Sequence, residues 1–291
     1  MGSGRWTKES FVSYSAKLGR SYAEDTGRVS GQTYKARKID KSLDPREFTV
    51  RECVNTEEHP NTIPVILALD VTGSMGEACS ETAAALGVIV SNLYNKITDV
   101  EFCVMGIGDL AYDDAPVQMS QFESDIRIAE ALDKIYMEHG GGGNRFESYT
   151  AAWYMGLKRT KLDCYDLQGR KGIIITMGDE PLNPYLPYNE LNSDTNAKEQ
   201  ADIETGDLYV QASEKFDIFH IAVDSPQDCY AHYKEDIEKS FGQILGSNLK
   251  VATINNLAQV IEECIMTSVN GTSATPTNGT TATNENGEIC W

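Results

Sequence analysis

Asp70, Thr72 and Ser74 alternate in the segment Asp70-Val71-Thr72-Gly73-Ser74-Met75, so one carboxylate and two hydroxyls can meet at a single turn. Hard oxygen donors carrying little total charge suit Mg²⁺ or Mn²⁺, and Ca²⁺ if the site is roomy. The same residue types also cap helices without any metal, by accepting from free amides of the first turn. Two features of the surroundings favour an ion: an apolar run leads into the motif, and another apolar run elsewhere also ends in Asp. A helix starting just after the motif presents amides that attract an incoming carboxylate, not a cation.

Four apolar runs end on aspartate: residues 65–70 (VILALD), 102–109 (FCVMGIGD), 172–179 (GIIITMGD) and 216–224 (FDIFHIAVD). Near-continuous runs of this kind, separated by helical stretches, read as strands buried on both faces of a parallel sheet. The C-terminal ends of such strands share one edge, and ligands bind in the crevice along it. The sequence therefore delivers Asp70, Asp109, Asp179 and Asp224 to one rim. Asp109, with Asp113 and Asp114 following, reads as a solvated acidic loop in preference to a secondary cation site or a support for the first one, while Asp224-Ser225-Pro226 reads as a strand-to-helix cap.

The connecting stretches show helical spacing over 75–95, where Ala83, Leu86, Val90 and Leu93 recur every three or four residues. Similar patterns cover 125–136, 146–158, 197–215, 228–241 and 257–267, with further short strands near Val117 and over 249–254. Alternation of this kind predicts an α/β class with a doubly wound, mostly parallel six-stranded sheet flanked by helices. Residues 1–60 read as a basic, extended N-terminal arm without sustained period, with weak strand alternation over 48–54. Residues 61–269 form the α/β domain, and 270–291 a disordered Thr/Asn-rich tail whose sequons at Asn270 and Asn278 are chance matches.

At the D-x-T-x-S motif the chain resembles a von Willebrand factor A (VWA) domain with a metal-ion-dependent adhesion site, a likeness that extends over about residues 63–269. The resemblance implies a VWA/Rossmann-like sheet whose first and fourth strands are neighbours where the strand order reverses. Asp179 then faces Asp70 and supplies a distal carboxylate, directly or through water. Its local text, Ile175-Thr176-Met177-Gly178-Asp179-Glu180-Pro181, departs from the commoner T-D-G of the family by placing glycine first. A second family loop usually offers a threonine after a Gly-rich turn. Here Gly140-Gly141-Gly142-Gly143-Asn144-Arg145-Phe146-Glu147-Ser148 has none at that place, so Asn144 and Glu147 are the candidate substitutes. Glu147 also suits the first turn of a helix with no metal present.

The function implied is a non-enzymatic, divalent-metal-dependent protein-protein interaction module in which a partner's Asp or Glu completes the ion's coordination. Family members inside cells act as adaptors for AAA+ ATPases or as scaffolds in larger assemblies. Two alternatives come from the residues themselves. A Mg²⁺-dependent hydrolase of the haloacid dehalogenase type also starts from a strand ending in Asp, but needs D-x-D for acid/base work, and Thr72 stands at the second position. A structural subunit could instead form a homo-oligomer through its basic arm.

That alternative arises from the charge distribution. The net charge is −19, yet residues 1–52 hold 11 Lys/Arg against 7 Asp/Glu, a local +4 on an otherwise strongly acidic chain. Such a body repels phosphate backbones and argues against a nucleic-acid partner. No run of about 18 apolar residues exists to span a membrane, and the first residues lack a signal peptide's apolar centre. The seven cysteines are scattered without a CxxC pair, which fits buried thiols in a reducing, cytoplasmic setting and no zinc site. No H-E-x-x-H, Walker loop or G-x-S-x-G motif is present, and His220 falls within a buried strand.

Overall fold

The computed structural model describes residues 4–31, 33–138, 146–224 and 229–272. Its centre is a six-stranded sheet built from β1 (Ile63–Asp70), β2 (Val100–Ile107), β3 (Val117–Met119), β4 (Gly172–Gly178), β5 (Phe216–Asp224) and β6 (Leu249–Thr253). The spatial order is β6-β5-β4-β1-β2-β3. All pairs are parallel except β2 with β3. The order reverses at β1, whose neighbours are β4 and β2, so the crevice at a doubly wound switch point opens above the β1–β4 pair.

Side chains on a strand alternate between faces, and the sequence supplies apolar groups to both. Val65, Leu67 and Leu69 of β1, with Ile173, Ile175 and Met177 of β4, enter one core. Ile66 and Ala68, with Ile174, enter the other. The first core lies under α2 (Gly76–Lys96), α3 (Arg127–Lys134) and α8 (Leu257–Thr272). The second lies under α4 (Thr150–Arg159), α6 (Thr205–Lys215) and α7 (Cys229–Leu245). Each fully buried Leu or Ile contributes roughly 1.5–3 kcal/mol relative to exposure, so the two-faced pattern fixes the register of the strands bearing the rim aspartates.

The N-terminal arm carries more regular structure than its weak periodicity predicts. It contains α1 (Lys8–Lys17) and a short hairpin, Ser21–Ala23 against Arg28–Ser30. Phe11 lies against Gly87 of α2, where a Cβ would collide with its ring. Arg20 pairs with Asp133, and Arg28 with Glu81 of α2. Thus Arg20 and Arg28 of the arm meet acidic groups of the same chain. The alternating segment near the arm's end forms Arg51–Cys53, which pairs with Thr160–Leu162 in a separate two-stranded sheet.

The long segment after Asp179 is also structured. Tyr185–Leu186 pairs with Ile203–Glu204, and α5 (Tyr188–Thr195) follows. Helix α6 starts at Thr205, later than the 197 expected, because that pairing occupies the preceding residues. The closing helix runs to Thr272, past the start assigned to the tail. Among the described residues, Cys53, Cys79, Cys103, Cys164 and Cys264 are buried free thiols, and no helix is long and apolar enough to cross a membrane.

Candidate metal centre

Strand β1 ends at Asp70, which is fully buried, and the chain then passes through a single 3₁₀ turn at Gly73–Met75 into α2. Neither the residue preceding that turn nor the one preceding the helix makes a side-chain capping bond. The motif hydroxyls point elsewhere. Thr72 Oγ1 donates to Asp70 Oδ1 at 2.6 Å, and the Thr72 amide donates to the same oxygen at 2.9 Å. Ser74 Oγ donates to Asp179 Oδ1 at 3.0 Å, across a separation of 105 residues. The helix-cap explanation of D-x-T-x-S therefore does not describe this turn.

Asp179 follows β4, beside β1, with Leu69 registered against Met177. The adjacency of the first and fourth strands brings the two carboxylates to one crevice. Asp179 is fully buried, and its Oδ2 has no hydrogen-bond partner. Burial raises the Asp70 carboxyl above the usual carboxylate range, and the charge of Asp179 adds to the rise. Burial likewise raises Asp179, with the Ser74 hydroxyl opposing it. Two buried carboxylates that repel each other, one with an unmet acceptor, call for a proton or a cation between them.

Glu147 reaches the same region. It is 2% exposed, its backbone bridges to Leu182, and its Oε2 is buried without a partner. Burial drives its carboxyl strongly upward, and the charges of Asp70, Glu180, Asp113 and Asp109 push the same way. Asn144 lies outside the described residues, as do Gly140–Gly143, so the choice between the two loop candidates rests on Glu147 alone. Glu180, raised to about 7 by burial and by Asp179, completes an acidic rim. The loop after Asp109 is solvated at Tyr112 and Asp114, but Asp109 itself is not: it is 3% exposed, its amide donates to Asp113 Oδ2 at 2.7 Å, and its Oδ1 accepts from Ala111.

One residue escaped the sequence reading. Tyr149, fully buried at the start of α4, donates its hydroxyl to Asp70 Oδ2 at 2.7 Å. A Cβ on Gly178 would overlap the Tyr149 ring, so the glycine before Asp179 makes room for this bond. That departure from T-D-G was the visible signal, although it did not name its partner. Beneath the pair, His220 stacks on Phe241 at 3.6 Å between centroids, and burial lowers its pKa to about 3. It is a neutral core group.

The candidate donors brought together are Asp70, Thr72, Ser74 and Asp179, with Glu147 alongside, all of them carboxylates and hydroxyls. Such a set fits a hard divalent ion. Among the described residues no group of three His, Cys, Asp or Glu side chains forms a metal cluster; here two of the four donors are hydroxyls. No family model and no curated protein matches the chain. Among solved structures it is similar to the vWF domain of the type V pili tip protein Mfa5 from Porphyromonas gingivalis, at 12% identity and TM-score 0.43, covering 74% of this chain and 97% of that one. It is also similar to the pilus adhesin SpaC from Lactobacillus rhamnosus GG, in its open conformation at 12% identity and TM-score 0.46, covering 75% of this chain and 30% of that one. A second form of SpaC gives 13% identity and TM-score 0.44, with 75% and 31% covered, so this chain spans about a third of SpaC's length.

Proposed function

We propose that the chain is a non-enzymatic, divalent-metal-dependent protein-recognition module, with Mg²⁺ or Mn²⁺ held by Asp70, Thr72, Ser74 and Asp179. The observation that carries this reading is the meeting of Ser74 with Asp179 from another loop, while Asp179 Oδ2 stays buried and unpaired. Asp70 is kept in place from two sides, by Thr72 and by Tyr149, so it can contribute to an ion without reorganising. The two hydroxyl donors are neutral, which leaves a bound ion electron-poor toward an outside carboxylate. Ser74 is only partly buried and Gly73 is exposed, giving a partner's Asp or Glu access from solvent. Such a module serves as an adaptor or scaffold in a larger assembly, with an AAA+ ATPase as one class of partner.

Calorimetric titration with MgCl₂ and with MnCl₂ tests the site. Asp70→Ala and Ser74→Ala are each expected to weaken binding by tenfold or more, on the order of the 10–100-fold seen when groups supporting a metal are removed. Wild-type affinity in both variants would overturn the assignment. The non-enzymatic half has its own check. Phosphatase turnover with Mg²⁺ that disappears in Asp70→Ala would establish the hydrolase reading instead. The oligomer reading keeps its motive in the basic arm, although Arg20 and Arg28 of that arm pair within their own chain.

A further inference from the structure

Two cavities, of about 470 and 350 Å³, lie beside the candidate metal centre. They share Phe146, Asn183 and Pro184, and so adjoin as one trough. Its link to the metal loop is covalent: Glu180 and Pro181 follow Asp179 directly, and Leu182 bridges to Glu147. The trough is held open before any partner arrives. Asn183 donates to Thr150 Oγ1 and to the Tyr185 carbonyl, the Leu182 amide donates to Ser240 Oγ, and Thr205 Oγ1 donates to the Asn183 carbonyl. Three prolines, Pro181, Pro184 and Pro187, stiffen its floor.

The two halves differ chemically. The larger is mostly apolar, through Phe146, Pro181, Leu182 and Ile244, although α7 also brings the charged Asp236 and Lys239 to its lining. It fits an apolar side chain. The smaller is bounded by Asp109 and Glu190 and walled by Phe146, Tyr185 and two prolines, with no Lys or Arg in its lining. Aromatic and proline walls suit the aliphatic stem of a Lys or Arg, and the exposed Glu190 carboxylate its head. Phe146 and Tyr185 are 36% and 43% exposed, large apolar groups left on a rim that is otherwise acidic.

From this we infer that the module docks an extended segment of a partner protein carrying three groups close together. A carboxylate reaches the metal, an apolar side chain fills the larger cavity, and a Lys or Arg enters the smaller one. The inference rests on the metal-dependent reading and adds the partner's chemistry to it. It also accounts for how a chain of net charge −19 attracts an acidic ligand at all: the flanking cation on the partner offsets the repulsion.

Selection of random linear peptides against the full chain, in MgCl₂ and in EDTA, tests the inference. The expected result is enrichment, in MgCl₂ only, of peptides with an acidic residue near an apolar and a basic one. Gly206→Trp plugs the larger cavity, since a Cβ there meets open space. It should weaken the selected peptides by about tenfold or more, the scale of one unseated apolar anchor, while calorimetric Mg²⁺ affinity stays at wild type. Glu190→Lys should weaken them too and move selection away from basic residues. Mg²⁺-dependent peptides indifferent to both substitutions would overturn the inference and leave the metal site standing. Absence of Mg²⁺ binding in the wild type would instead sink the reading beneath it. Mg²⁺-dependent self-association that Gly206→Trp abolishes would assign the trough to a second copy of this chain and so overturn the partner proposed.

Discussion

At Gly178 and Tyr149, two residues from distant parts of the chain decide the posture of a third. The hydroxyl of Tyr149 holds Asp70 Oδ2, and only a glycine at 178 leaves space for the ring. Gly178→Ala is expected to destabilise the fold by about 1–3 kcal/mol through overpacking, read as a lower urea midpoint with unchanged slope. Tyr149→Phe, which keeps the ring and drops the donor, should cost about 1–2 kcal/mol. An unchanged midpoint in both variants would show that the hydroxyl contributes nothing there. The meeting of Asp70 and Thr72 at one turn could be read from the chain because their spacing is local. Tyr149 could not, because its role depends on a contact spanning 79 residues. Glu147 fell between these cases: its place in a Gly-rich loop was visible, its burial was not.

Elements were legible in proportion to how many buried side chains each repeats. β1 and β4 bury nearly every residue, and their apolar runs announce them. Helix α1 buries only Phe11 and Ser15, too few to set up a period, so it passes for irregular chain. Its attachment comes from specific contacts instead. Arg20 is 5% exposed at its side chain and pairs with Asp133, which also accepts from Tyr14 at 3.0 Å. Removing one partner of a buried pair strands the other's charge, so Arg20→Ala should cost roughly 3–5 kcal/mol. Urea unfolding with the stability of wild type would show the arm to be only loosely attached. Helix α5 escaped for a related reason: Tyr188–Thr195 buries only Leu191 and Thr195.

Across the whole molecule, the α/β class with its mostly parallel sheet followed from the alternation of apolar runs, and the pairing of the first and fourth strands from the resemblance, whereas long-range polar contacts followed from neither. Glu101 is one such contact, accepting from Cys53 Sγ at 3.2 Å and raised to about 7 by burial. Because its folded-state pKa lies above the ordinary 4.5, the unfolded chain loses this proton first as pH rises. The stability it contributes is complete below the ordinary value and gone above about 7. Glu101→Gln should therefore stabilise the protein by about 1–3 kcal/mol near pH 8 and by almost nothing near pH 4; equal thermal midpoints at both pH values would contradict this. A last consequence lies in the distance, 105 residues, between Ser74 and the carboxylate it meets. A half-folded chain, with β1 not yet laid beside β4, owns no chelating pocket. On the proposed metal-dependent reading the cation would act as a latch on a finished product: Mg²⁺ should slow the opening of the native protein in stopped-flow traces while leaving its rate of formation unaltered.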